Sequence, residues 1–87
     1  MNLEDEVQTA LKNGKVILGF RESIKFIKLN SPKLIVIASN IPKDLGNEIE
    51  YNAKISNTKV EVFKGSSKGL GVICGKSFPI TTLVIKG

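Results

Sequence analysis

The sequence predicts an α/β fold in which one sheet carries helices on both faces. Three observations lead there. Segments with apolar residues at helical spacing alternate with short apolar or alternating runs, giving the order α-β-α-β-α-β-α-β along the chain. The run 34–38 (LIVIA) is apolar throughout, which suits a central strand covered from both sides. Finally, 87 residues can bury one core of modest size, so the elements belong to a single domain over 1–87.

The first helix covers 3–13. Leu3, Val7, Ala10 and Leu11 form one apolar stripe, and Glu4, Asp5 and Glu6 complement the helix dipole in the first turn. Asn13-Gly14 stops it. Residues 15–19 (KVILG) read as a short buried strand. Helical spacing returns over 20–29, where Phe20, Ile24 and Ile27 make an apolar face. Arg21, Lys25 and Lys28 repeat the same spacing on a neighbouring face, giving a basic stripe towards solvent or a partner. Asn30-Ser31-Pro32 ends this helix, and the 34–38 strand follows.

Asn40-Ile41-Pro42 is a turn, and Pro42 suits the opening of the next helix. Leu45, Ile49 and Ala53 carry that helix to about residue 55, and Ser56-Asn57-Thr58 closes it. Residues 60–63 (VEVF) alternate as an edge strand does. Gly65-Ser66-Ser67 offers an N-cap to a short helical face of Leu70, Ile73 and Cys74 that ends at Gly75. The β-branched run 80–85 (ITTLVI) is the last strand. Its direction stays open, because the preceding connection is brief.

Composition excludes several functions. With no histidine and a single cysteine, Cys74, an internal disulfide, a Cys/His zinc site and histidine general-base chemistry are all ruled out. No apolar run approaches the ~18 residues of a membrane span. The first ten residues carry three acids and no base, the reverse of a signal peptide's opening. The net charge of +5 is unevenly spread: residues 11–43 hold seven bases against Glu22 alone, whereas 44–63 hold four acids and two lysines. A clustered basic excess points to a polyanionic partner.

Gly75-Lys76-Ser77 invites a phosphate-loop reading and hence a small phosphate-binding enzyme. That motif needs a glycine where Leu70 stands, and a helix after the loop rather than a strand. Three other segments fit nucleic-acid chemistry better. In Gly19-Phe20-Arg21-Glu22-Ser23, a glycine lets backbone approach closely, and the helix start favours phosphate. Arg21 supplies a forked donor there, and Glu22 an acceptor for base amino groups. Asn40, after the central strand, is either a turn residue or a base reader. Phe78-Pro79-Ile80 either stacks on an unpaired base or buries Phe78 in the core. All three segments reach one edge if the final strand runs antiparallel to the others.

With these residues in view, the chain resembles the L-thirty-e family of archaeal and eukaryotic large-subunit ribosomal proteins. That family belongs to the kink-turn RNA-binding superfamily shared with the L-seven-Ae proteins. The resemblance rests on GKVILGFRESIKFIK (14–28), KLIVIASNIPKD (33–44), EIEYNAKIS (48–56) and LGVICGK (70–76) followed by FPI. It implies a three-layer α/β/α sandwich whose four-stranded mixed sheet has order 1-4-2-3, with strand 4 antiparallel. It implies non-catalytic binding of rRNA at a kink-turn, in which a bulge is flanked by tandem sheared G·A pairs. By position, Gly19, Phe20, Arg21, Glu22 and Ser23 match the loop that reads those pairs. Lys25 and Lys28 match basic positions near phosphates, and Asn40 a base-contacting asparagine. Phe78 and Ile80 match the apolar loop that packs on unstacked bases. No cofactor, metal or membrane is implied. The expected partners are rRNA and other ribosomal components in the cytoplasm, with a monomer when free. A non-ribosomal kink-turn scaffold protein is the alternative within the superfamily.

Overall fold

A computed structural model describes residues 2–86. Its elements are α1 (Leu3–Lys12), β1 (Val16–Leu18), α2 (Phe20–Leu29), β2 (Leu34–Ala38), α3 (Lys43–Ser56), β3 (Val60–Phe63), α4 (Ser67–Ile73) and β4 (Thr82–Ile85). The strands form one sheet in the order β1-β4-β2-β3. β2 and β3 are parallel, and β4 runs antiparallel to both of its neighbours, β1 and β2. The expected three-layer sandwich and its mixed sheet are therefore found.

The pleat explains the two layers of helix. Successive strand residues point to opposite faces, so an apolar run feeds two cores at once. On one face Leu34, Val36, Ala38, Leu83 and Ile85 pack with Val7 and Ala10 of α1 and Leu70 of α4. On the other, Ile35, Ile37 and Val84 pack with Ile24 and Ile27 of α2 and Ile49 and Ala53 of α3. Every residue of β2 and of β4 is buried. The helix ends follow local chemistry. Asn2 caps α1 by accepting from the Asp5 N–H, and Asn57 closes α3 in the left-handed conformation.

β4 begins at Thr82, two residues later than the β-branched run suggests. The Ile80 N–H donates at 2.9 Å to the carbonyl of Ser67 in α4 rather than to a strand, so 78–80 is a turn held down by a helix. Gly71 makes that contact close. A Cβ at this position would collide with the Phe78 carbonyl oxygen. Gly71→Ala is therefore expected to lower stability by roughly 1–3 kcal/mol through overpacking. Urea unfolding measures this, and an unchanged midpoint would contradict the close approach.

Candidate nucleic-acid interface

The strand register sets where the loops lie. Leu18 pairs with Leu83, and Ile37 pairs with Thr82. The ends of β1 and β2 therefore flank the start of β4, and the turns at 19, 39–42 and 78–81 emerge at one edge of the sheet. Backbone and side-chain hydrogen bonds join them. The Gly19 N–H donates to Thr82 at 2.9 Å, the Ala38 N–H to Thr81 at 2.9 Å, and the Ile80 N–H to Ser67 at 2.9 Å. The Ser67 N–H in turn donates to Oδ1 of Asn40 at 2.8 Å.

Gly19 converts a strand into a helix in one residue. Its φ of 96° lies where side chains are strained, and its carbonyl already accepts the Ser23 N–H at 3.0 Å as the first bond of α2. As the N-cap it has no side chain to offer the first turn. The first N–H groups of α2 thus lack an intrahelical acceptor at the positive end of the helix dipole, which suits an anion. Arg21, Glu22, Lys25 and Lys28 are all exposed around this end and along the helix. Lys25 and Glu22 approach to 4.0 Å in solvent, a contact worth about 0–1 kcal/mol that leaves both side chains available to a partner. Phe20 is half-buried against the α2/α3 core, where its ring anchors the turn.

Asn40 is exposed at the end of β2, yet its amide is engaged with α4. Besides accepting from the Ser67 N–H, its Nδ2 donates to Ser67 Oγ at 3.4 Å. Beside it Ser39 Oγ donates at 2.8 Å to the Gly65 carbonyl, tying β2 to the loop after β3. Phe78 is 53% exposed on its turn, which answers the alternative that it belongs to the core.

Two expected contact residues need correction. Ile80 is only 2% exposed and packs with Leu70 and Leu83, because its backbone bond to Ser67 turns the side chain inward. Ser23 is fully buried on the sheet-facing side of α2. Neither side chain is on the surface to meet a base. Sequence reading also passed over Ser67 and Gly71 as positioning residues. Nothing local pairs Asn40 with a serine 27 positions on, and the glycines of 69–71 carry no sign of the Phe78 carbonyl above them.

The other candidate chemistry finds no support. Gly75-Lys76-Ser77 follows α4 and leads through a turn to β4, so a strand stands where a phosphate loop needs a helix after it. Cys74 packs beside Leu70 and Ile80. Burial pushes its thiol up, against a smaller opposite pull from Lys76, so it stays protonated at neutral pH and acts as a small apolar side chain.

Residues 1–87 match the family described as Ribosomal protein L7Ae/L30e/S12e/Gadd45. The chain belongs to that family. Among its relatives is the large ribosomal subunit protein eL30 of Methanocaldococcus jannaschii, 46% identical over 85 residues, with 98% of this chain and 77% of that one covered. The eL30 of Saccharolobus solfataricus is 44% identical, with 98% of this chain and 79% of that one covered. Among solved structures, a Giardia lamblia 15.5kD RNA binding protein superimposes with a TM-score of 0.88 at 20% identity, covering 98% of this chain and 71% of that one. That likeness concerns the fold of this family member.

The Asn40–Ser67 link gives a stability test. Asn40→Ala removes the acceptor of an exposed backbone N–H that water can partly replace. The expected loss is about 0.5–1.5 kcal/mol in urea unfolding. No loss at all would show that the amide is free to serve elsewhere.

Proposed function

We propose that this chain is a structural constituent of the large ribosomal subunit, and that residues 1–87 act as one RNA-binding domain that holds a kink-turn of rRNA without catalysis. The observation that carries this reading is the single edge shared by the turns at 19–22, 39–40 and 78–79, with an uncapped helix start at its centre. The ribosomal names of the relatives at 44–46% identity favour this role over that of a non-ribosomal kink-turn scaffold.

Each part has a distinct task. Gly19 lets the RNA backbone come close to the protein chain, and the free N–H groups after it bind phosphate or base acceptors. Arg21 offers paired donors to a guanine edge or a phosphate, and Glu22 accepts from a base amino group exposed by a sheared pair. Lys25 and Lys28 continue the positive charge along α2, where they hold phosphates and set register rather than sequence. Phe78 provides a face on which an unstacked base can lie. Asn40 fixes α4 and its turn beneath the bases, and its second amide hydrogen can reach the RNA. The free protein is monomeric in this reading, and its assembled partners are rRNA and other ribosomal components of the cytoplasm.

Gel-shift titration with a kink-turn RNA tests the reading, run beside the same RNA with its G·A pairs replaced by Watson–Crick pairs. Binding should be tight to the first and at least tenfold weaker to the second. Equal affinity would reject recognition of the kink. The basic stripe gives an independent test. Changing Arg21, Lys25 and Lys28 together to glutamine should reduce the slope of log K against log salt by about 2–3, as expected for three lost phosphate contacts. A slope unaltered by the triple change would remove these residues from the interface.

A further inference from the structure

Two hydroxyls lie buried beneath the proposed RNA seat with nothing to bond. Ser23 and Thr82 are both 0% exposed, and among the described residues neither Oγ of Ser23 nor Oγ1 of Thr82 has a hydrogen-bond partner. They occupy the same layer. Ser23 stands one turn before Ile27 on α2, and Ile27 packs among Ile35, Ile37 and Val84. Thr82 is two residues before Val84 on β4 and so shares its sheet face. Gly19 links the two, since its N–H donates to the Thr82 carbonyl and its carbonyl accepts the Ser23 N–H. Helical side chains lean towards their own N-terminus, which tilts Ser23 towards Gly19 and the start of β4.

In the free protein an apolar pair would be better placed here. A buried hydroxyl without a partner raises the free energy of the folded state, and alanine and valine carry no such group. Alanine also favours a helix more than serine does. The cost lies under the turn that presents Arg21 and Glu22, and it vanishes in any state that supplies the missing bond.

We propose that RNA docking on the first turn of α2, which Gly19 already ties to the start of β4, shifts that turn so that the Ser23 and Thr82 hydroxyls bond to each other; this rests on the RNA-binding reading above. The two are a positioning pair. Neither touches RNA, and both act through the placement of residues 19–22. The free protein holds the turn in a polar deficit, and docking recovers that deficit as affinity.

The test compares the wild-type chain with Ser23→Ala, Thr82→Val and the double variant, in thermal unfolding and in binding to a kink-turn RNA. Each single variant should unfold at or above the wild-type Tm while binding RNA about three- to tenfold more weakly, the range expected for one lost hydrogen bond. The double variant should lose no more than either single one, because the bond is already gone. Thr82→Ser keeps the hydroxyl and should bind within about twofold of wild type. The salt slope should not move, since no phosphate contact is altered. Wild-type affinity in both single variants would overturn the proposal. So would a fall in Tm in either single variant, which would mean the hydroxyls are already bonded in the free protein. Losses that add in the double variant would mean the two hydroxyls act apart, and would overturn it as well. A wild-type chain that fails to bind kink-turn RNA would defeat the functional reading and this pair together. Normal wild-type binding with unaffected variants defeats the pair alone.

Discussion

The insertion of β4 between β1 and β2, antiparallel to both, is the constraint on which the candidate interface depends. A parallel final strand would send the turn at 78–81 to the far end of the sheet, away from Gly19 and Asn40. The antiparallel strand brings its leading turn back to the edge where β1 and β2 finish. Burial enforces this register. All four β4 residues are buried, and Leu83 and Ile85 serve one core while Val84 serves the other. A slip by one residue would exchange the faces and drive Thr82 into the wrong layer.

Much of this was legible in the sequence, for a physical reason. Element type follows from apolar spacing, and each of these segments keeps one period from end to end. The 20–29 helix and the 34–38 strand fall where periodicity puts them. Strand order and direction are another matter, because they arise from contacts between distant residues. Here the family resemblance supplied what periodicity left open. The misplaced side chains share one cause. Ile80 and Ser23 sit in surface turns or at a helix start by sequence, yet which way each points is decided by partners elsewhere. Ile80 is turned inward by the Ser67 carbonyl, and Ser23 shares the buried face of α2 with Ile27. Phe78 shows the opposite outcome: its backbone is held close against Gly71 of α4, yet its ring, next to a core position, remains half exposed.

The contrast between α1 and α2 shows how local chemistry assigns roles to helices of equal length. α1 carries an asparagine cap and three acids in its first turn, so its N-terminal N–H groups and dipole are met from within. α2 has glycine at the cap and only Glu22 in its first turn, beside Arg21. Glycine there costs the helix a capping bond. The same absence of a side chain leaves room for an external anion at that helix start.

The topology adds a longer-range effect. Helices that follow parallel strands begin at the edge where those strands end. β1, β2 and β3 all run one way, so α2, α3 and α4 all start at the edge that carries the candidate interface. Ser66 caps α4 by accepting from the Gly69 N–H, whereas α3 begins after Pro42 with no side-chain cap. Two uncapped helix starts therefore direct positive potential to the same edge, opposed in their first turns by Glu22 and Asp44 alone. The lysines and Arg21 add to a field that the backbone already sets. A polyanion approaching this edge would meet the positive ends of two helix dipoles before any single side chain, which suits the edge to the RNA-binding role proposed above.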